Sequence, residues 1–438
     1  MNEALEGPGD NRDRLVACFR AAVAAAMPGP GVRRALLEFG APSRPPRILS
    51  IGKAAIPMAR AARAVLEQAG LGAAGGLVIA PDPGSVEGLD LVVGEHPLPG
   101  PGSVRAAAAV ETFCRDTPPS TPVWLLLSGG ATSLMAGPEP GLSVAALTAT
   151  FDQLLRSGLD IATMNAIRKR LSRLAGGKLA VALQHTSILQ LVVSDVIGDD
   201  LAAIGSGPAV PDPARAAEIL DLIDRSTLRD RIPGPALELL GETAAGRRPE
   251  TPKPAHPAFG TVTTRIVASN RIALEGAAAA ARQFGWMVEI RPEPVRGEAR
   301  IAGVAIAEML DGLPRSEAPS LIVFGGETTV QVGAATGRGG RCQELALSAA
   351  AVLARHPARR ITLLAAGTDG RDGPTDAAGA VVDGTTWAAI KATDVEPAAA
   401  LERHDCYTAL DAAGALLRTG PTGTNVMDVV LGLATPAP

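Results

Sequence analysis

The stretch RILSIGKAAIPMARAARAVLEQ, residues 47–68, sets how the rest of the chain reads. Its first five residues form a short apolar run of the kind found in strands covered on both faces. A Gly52-Lys53 pair ends the run, and Ala54–Gln68 follows as a helix. The same succession recurs downstream. Apolar runs at Leu77–Ala80, Leu89–Val93, Val123–Leu127, Ile188–Val193, Arg265–Ala268, Leu321–Phe324 and Ile361–Ala365 alternate with helical stretches. Those stretches include Ser103–Cys114, Val144–Arg156, Asn270–Gln283 and Gln343–Leu353. The alternation predicts an α/β protein with mainly parallel sheets.

The segment GRRPETPKPAHPAF, beginning at Gly246, carries four prolines and reads as a linker or excursion. We therefore expect an N-terminal α/β domain over 1–245, a connecting segment over 246–260, and a second α/β region over 261–438.

Composition narrows the function. The 438 residues are 47% apolar and 20% charged, which is globular material with a sizeable core. Aromatics are 3% and the net charge is -4, so neither stacking platforms nor a positive field invites nucleic acid. The four cysteines are scattered without a CxxC, which speaks against a zinc site or disulfide framework and fits a reducing compartment. The run from Ala21 to Met27 is too short for a membrane span. The expectation is a cytoplasmic protein with no membrane partner.

Six apolar runs end in small or polar clusters: Gly52-Lys53, Ser128-Gly129-Gly130, Ser194-Asp195, Ser269-Asn270, Gly325-Gly326-Glu327 and Gly367-Thr368-Asp369. Any one alone is an ordinary turn. Together they describe a crevice at the carboxyl ends of strands, where α/β sheets bind ligands. Lys53 stands before a helix start, where the dipole prefers an anion, so an incoming phosphate would complete it. Solvated surface lysine is the alternative. The segment around Lys53 is not a Walker A loop, because residue 47 is Arg and residue 54 is Ala.

Arg341 also falls at a helix start, behind a loop with Gly333, Gly337, Gly339, Gly340 and Arg338. That loop is a candidate phosphate clamp or a plain surface loop. Asp195, Asp199, Asp200, Asp369, Asp372 and Asp376 are candidate Mg2+ carboxylates, several of them expected to be turn residues. A helix over Asn165–Leu183 carries Arg168, Lys169, Arg170, Arg173 and Lys178, read mainly as a solvated face, with one or two able to reach an acidic substrate. Gly70, Gly72 and Gly75 match GxGxxG but follow a helix and precede a strand, the reverse of a dinucleotide site. Among the histidines, His96 in a post-strand loop is the one to follow.

Taken as a set, several segments resemble the glycerate 2-kinase family, whose C-terminal part is the MOFRL domain. They are IGKAA (51–55), HPLPG (96–100), LLLSGGATSLM (125–135), NAIRKRLSRLAGGKLA (165–180) and VVSDVIGDDLAAIGSGPAVPDP (192–213). Further along come SNRIALEGAA (269–278), GGETTVQV (325–332), GRGGRCQELAL (337–347), GTDGRDGPTDAAGAVVD (367–383) and GPTGTNVMD (420–428).

The resemblance implies two α/β domains, a mainly parallel Rossmann-like sheet in the larger, an active-site cleft between them, and MOFRL at about 319–435. It implies ATP-dependent phosphorylation of D-glycerate at the 2-hydroxyl, with ATP and Mg2+ required. Lys53 and Arg341 fall on the family's functional lysine and arginine. With Asp195 as the base they are the expected catalytic residues. Gly52, Ser128, Gly129, Gly130, Asn270, Glu327 and Asp369 are expected to bind substrate or nucleotide, and Asp195 and Asp369 to hold metal. Cys342, Ala175 and Ile197 depart from the family pattern, which has Asn, a basic residue and Pro there. The expected partners are D-glycerate and ATP, and assembly into a homo-oligomer stays open. A hydroxypyruvate or tartronate semialdehyde reductase and a catalytically silent binding protein are the alternatives.

Overall fold

The run at Arg47–Ile51 is β1, near the centre of a six-stranded sheet. The computed structural model describes residues 8–159, 161–226, 228–314, 317–333 and 337–436. The sheet also contains β2 (Gly76–Ala80), β3 (Asp90–Val93), β4 (Val123–Leu127), β5 (Ile188–Val193) and β6 (Val262–Ala268), in the order β3-β2-β1-β4-β5-β6. β1 pairs parallel with both β2 and β4, and the pairs β2–β3 and β4–β5 are parallel as well. All five residues of β4 are buried, as the continuous apolar run VWLLL requires of a strand with covered faces. The strand order reverses direction between β1 and β4. This is the switch point of a doubly wound sheet, where adjacent turns diverge and leave a crevice.

A second sheet holds β7 (Met287–Ile290), β8 (Ser320–Gly326), β9 (Ile361–Gly367), β10 (Gly379–Asp383), β11 (Leu416–Leu417) and β12 (Asp428–Ala434), in the order β11-β10-β9-β12-β8-β7. Here β12 runs antiparallel to both β8 and β9, so this sheet is mixed. The larger unit thus carries the parallel sheet that was expected. After Gly326 the chain leaves the ladder, and Thr329 is joined to Glu298 by an isolated parallel bridge outside the sheet.

Contacts divide the chain differently from the expected boundaries. Pro28–Val267 form one unit, and the helix Pro8–Ala25 belongs with the chain from Ala268 onward. The reason is local to that helix. Arg12 donates from Nη1 to the Val381 carbonyl (3.2 Å) and from Nη2 to that of Gly414 (3.0 Å). Thr424 Oγ1 donates to the Ala26 carbonyl at 2.7 Å. The proline-rich stretch does not bridge the units. Within the first unit, Thr251 Oγ1 donates to Asp212 (2.9 Å) and Glu250 accepts from the Ala216 amide (2.7 Å).

The basic helix differs too. It ends at Leu171 and resumes only over Lys178–Ala182, with Gly176 and Gly177 at positive φ between them. Its cations are not a solvated face: Arg168, Lys169 and Arg170 are 6%, 6% and 3% exposed. Arg170 is held by Asp212 at 3.0 Å, and Lys178 donates to Glu139 and to the Ser172 carbonyl. Burial is tolerated because most of these cations meet a carboxylate.

Candidate active site

At the switch point the ends of β1 and β4 lock together. The Lys53 amide donates to the Gly129 carbonyl (2.9 Å), and the Ala54 amide to Ser128 Oγ (3.0 Å). Gly52 has φ 128°, and a Cβ there would lie 2.2 Å from Ser128 Oγ, so no other residue fits. The Ser128 amide is already used, donating to the Ile51 carbonyl at 2.9 Å. Among the described residues the Gly129 and Gly130 amides donate to nothing, which leaves them available to an anion.

Three side chains converge on this turn. Lys53 is exposed and forms no ion pair among the described residues. A Cβ on Gly130 would lie 3.3 Å from Lys53 Cγ and 3.0 Å from the His96 ring. A Cβ on Gly129 would lie 2.0 Å from Asp195 Oδ2, so the Asp195 carboxyl rests directly on the glycine turn. Burial raises the Asp195 pKa above the ordinary carboxylate range, against the pull of Lys53. Burial, then the positive charges of Lys53 and Arg168, lower His96 to about 4, which keeps its imidazole neutral at pH 7. The His96 loop is itself pinned, since Glu95 accepts from the amides of Gly102 (2.8 Å) and Ser103 (2.7 Å) at the next helix start. The site therefore offers one exposed cation, one carboxyl of raised pKa and a neutral imidazole around a glycine turn.

The second unit places the remaining expected residues. Arg341 opens the helix Arg341–Leu353 and is not free. It donates from Nε and Nη2 to the two Asp428 oxygens (2.6 and 2.8 Å), and Nη1 lies 3.1 Å from Glu327 Oε1. Burial alone would lower its pKa, but the Asp428 bonds and charge outweigh this and hold it above the ordinary value. Asp372 is buried under the same helix start. It accepts from the Cys342 (3.1 Å) and Gln343 (2.8 Å) amides, and burial raises its carboxyl to about 6 despite those bonds. Asn270 is a clamp, donating from Nδ2 to the Val426 (2.8 Å) and Asp428 (2.9 Å) carbonyls. Asp369 accepts from the Arg371 amide at 3.0 Å. Arg338 stacks on Tyr407, its guanidinium carbon 3.9 Å from the ring centre, and residues 334–336 of the expected clamp loop lie outside the described residues.

Several candidate metal carboxylates have structural duties. Asp200 accepts from the Ala202 amide (2.9 Å), and Asp376 from Tyr407 (2.7 Å). Among the described residues no group of three His, Cys, Asp or Glu could cage an ion. Mg2+ that arrives with nucleotide phosphates needs only one or two protein carboxylates; Asp195 and Asp369, each in its own unit, are both half-buried. The sequence named Arg168 only as one of five cations of the basic helix, one or two of them able to reach an acidic substrate, and it did not single out Asp428. Asp428 lay in a recognised motif, but nothing local paired it with Arg341.

A chain that carries a doubly wound parallel sheet with a lysine and a glycine turn at its switch point, and in addition a mixed-sheet unit, has the architecture of a small-molecule α/β enzyme. Residues 14–241 match the family described as domain of unknown function (DUF4147), and residues 320–428 match the MOFRL family. The chain is 35% identical to the glycerate 2-kinase of Pyrococcus horikoshii over 89% of this chain and 87% of that protein. It is also 35% identical to the D-glycerate 2-kinase of Thermotoga maritima over 88% and 90%. A protein of Agrobacterium vitis with a provisional hydroxypyruvate reductase name is 38% identical over 95% and 93%. The crystal structure of glycerate kinase from Thermotoga maritima superposes with a TM-score of 0.86 at 32% identity, covering 97% of this chain and all of that one. The chain belongs to the DUF4147–MOFRL family of glycerate kinases.

Proposed function

We propose that this protein is a glycerate 2-kinase, moving the γ-phosphoryl of ATP to the 2-hydroxyl of D-glycerate and releasing ADP. The observation that carries the reading is the switch-point turn, with Lys53, Asp195 and the amides of Gly129 and Gly130 around one point of the sheet. Phosphoryl transfer needs positioning and charge neutralisation more than covalent help. Lys53 is the only one of these groups that is cationic, exposed and unpaired, so it meets the transferring phosphoryl. Asp195 takes the proton of the 2-hydroxyl, a role that a carboxyl of raised pKa suits better than an ordinary one. The two glycine amides orient an oxyanion.

When bound, Mg2+ would neutralise the charge of the nucleotide phosphates, and Asp195 or Asp369 would be its protein ligand. Arg341 contacts phosphate by giving up its exposed partner Glu327 while keeping Asp428.

The test is ADP release with D-glycerate and ATP, with NMR of the product to place phosphate on the 2- or 3-oxygen. No ADP release above background would end the kinase reading. The reductase reading is tested by absorbance at 340 nm with hydroxypyruvate and a reduced nicotinamide, without ATP. Its weakness is that the lone GxGxxG lies between the helix Ala55–Gln68 and β2, where it cannot open a helix onto a pyrophosphate.

A further inference from the structure

Three neighbouring cations in one helix are buried, and they are not equivalent. Arg170 meets Asp212 at 3.0 Å, and Lys169 feels the charges of Asp212 and Asp200. Arg168 has no carboxylate in reach among the described residues. Its guanidinium lies over the Phe151 ring, 4.9 Å from the centre, and Nη1 makes one long bond to Asn165 Oδ1 (3.4 Å). Its Nε is buried with no partner. An arginine only 6% exposed with no counter-ion is unfavourable unless something else supplies the anion.

The surroundings tie Arg168 to the glycine turn. Asn165 donates to the Ala203 carbonyl (2.8 Å) and accepts from Ser206 Oγ (3.3 Å). Ser206 Oγ is 2.9 Å from Thr132 Oγ1, two residues beyond Gly130. His96, against Gly130, lies close enough to Arg168 for its charge to oppose imidazole protonation. The local field is positive, with neutral His96 and the Asn165–Ser206–Thr132 hydroxyl and amide chain beside it.

We propose that Arg168 receives the carboxylate of the acceptor hydroxy acid and selects acids over their uncharged analogues. A planar guanidinium matches a carboxylate through paired N–H donors. With the carboxylate held there, the adjacent hydroxyl carbon reaches toward the turn that carries Lys53 and Asp195. The inference rests on the kinase reading for the identity of the acid.

The test compares wild type with Arg168→Met and Arg168→Lys. Arg168→Met is expected to raise the KM for D-glycerate about 10²-fold, the scale of removing one partner of a desolvated charge pair. The KM for ATP stays within about threefold, and the preference for glycerate over glyceramide, its uncharged amide, largely disappears. Arg168→Lys recovers part of the loss. Without ligand, Arg168→Met melts no lower than wild type, because it removes an uncompensated charge; an arginine with a purely structural role would lower the melting temperature. Where Arg168→Met does not fold, Arg168→Lys carries the same comparison.

Calorimetric titrations with D-glycerate, lactate and ADP separate this inference from the kinase reading. Carboxylate binding that is lost in Arg168→Met, in a protein that does not phosphorylate glycerate, supports Arg168 and overturns the kinase. Phosphorylation with an unchanged glycerate KM in the variants overturns Arg168 alone. Weakened ADP binding with unchanged glycerate binding assigns Arg168 to nucleotide phosphate and also overturns the proposal. A wild-type protein that neither binds a hydroxy acid nor phosphorylates glycerate overturns both.

Discussion

Replacing Lys53 by alanine removes a cation on which the fold does not depend. Its side chain is exposed and makes no ion pair among the described residues, and the backbone bond from its amide to Gly129 is unaffected. Surface substitutions of this kind usually stay within ~0.5 kcal/mol of wild-type stability. The loss should therefore appear in catalysis. One preorganised charge contact on a transferring group is worth about 3–4 kcal/mol, so kcat should fall ~10²–10³-fold, with a smaller rise in KM. A second effect has a definite sign. Lys53 lowers the pKa of Asp195 and that of His96, so its removal raises both. Asp195 must be ionised to accept the hydroxyl proton, and the acid limb of the kcat/KM profile should move to higher pH in Lys53→Ala. Steady-state kinetics from pH 5 to 9, with circular dichroism to confirm folding, measures both effects. A folded variant with kcat within threefold of wild type, or an acid limb that moves to lower pH, would refute the assignment.

Arg341→Ala leaves Asp428, only 5% exposed, without its partner, so besides lost activity it should cost roughly 2 kcal/mol of stability, read as a lower urea unfolding midpoint; an unchanged midpoint would show that the pair does not support the fold. Gly129→Ala drives a Cβ to within 2.0 Å of Asp195 Oδ2 and should abolish most turnover, while Gly234→Ala, open at its Cβ, should not, so equal activity of the two variants would remove Asp195 from the site. For Asp372, a folded pKa raised to about 6 favours the folded state most at low pH, and that benefit is lost as pH rises from about 4 to 6. The stability of wild type relative to Asp372→Asn should fall over that range, and a rise would contradict the burial argument. Turnover should vanish in excess EDTA and return with Mg2+, and full activity in the chelator would exclude the phosphate-neutralising role.

The sequence by itself determined the parts that are local. The run at 47–51 followed by a helix is written in apolar spacing, so β1 and the helix to Gln68 were legible, as was the helix Asn270–Gln283. Gly52-Lys53 and Ser128-Gly129-Gly130 stood out because a run that stops on small residues marks a strand end whatever surrounds it. The motif set named the family for the same reason, since each motif is contiguous in the chain.

The tertiary structure decided what depends on partners far along the chain. Arg341 and Asp428 are 87 positions apart, and Arg12 meets carbonyls some 400 positions away, so neither could be paired from sequence. The basic run 168–170 looked like a solvated face because charges usually are; only the return of Asp212 beside Arg170 makes burial tolerable. Arg168 was hidden by the same run. A sequence shows three cations side by side, and only the fold shows that one of them, Arg168, has no carboxylate partner among the described residues.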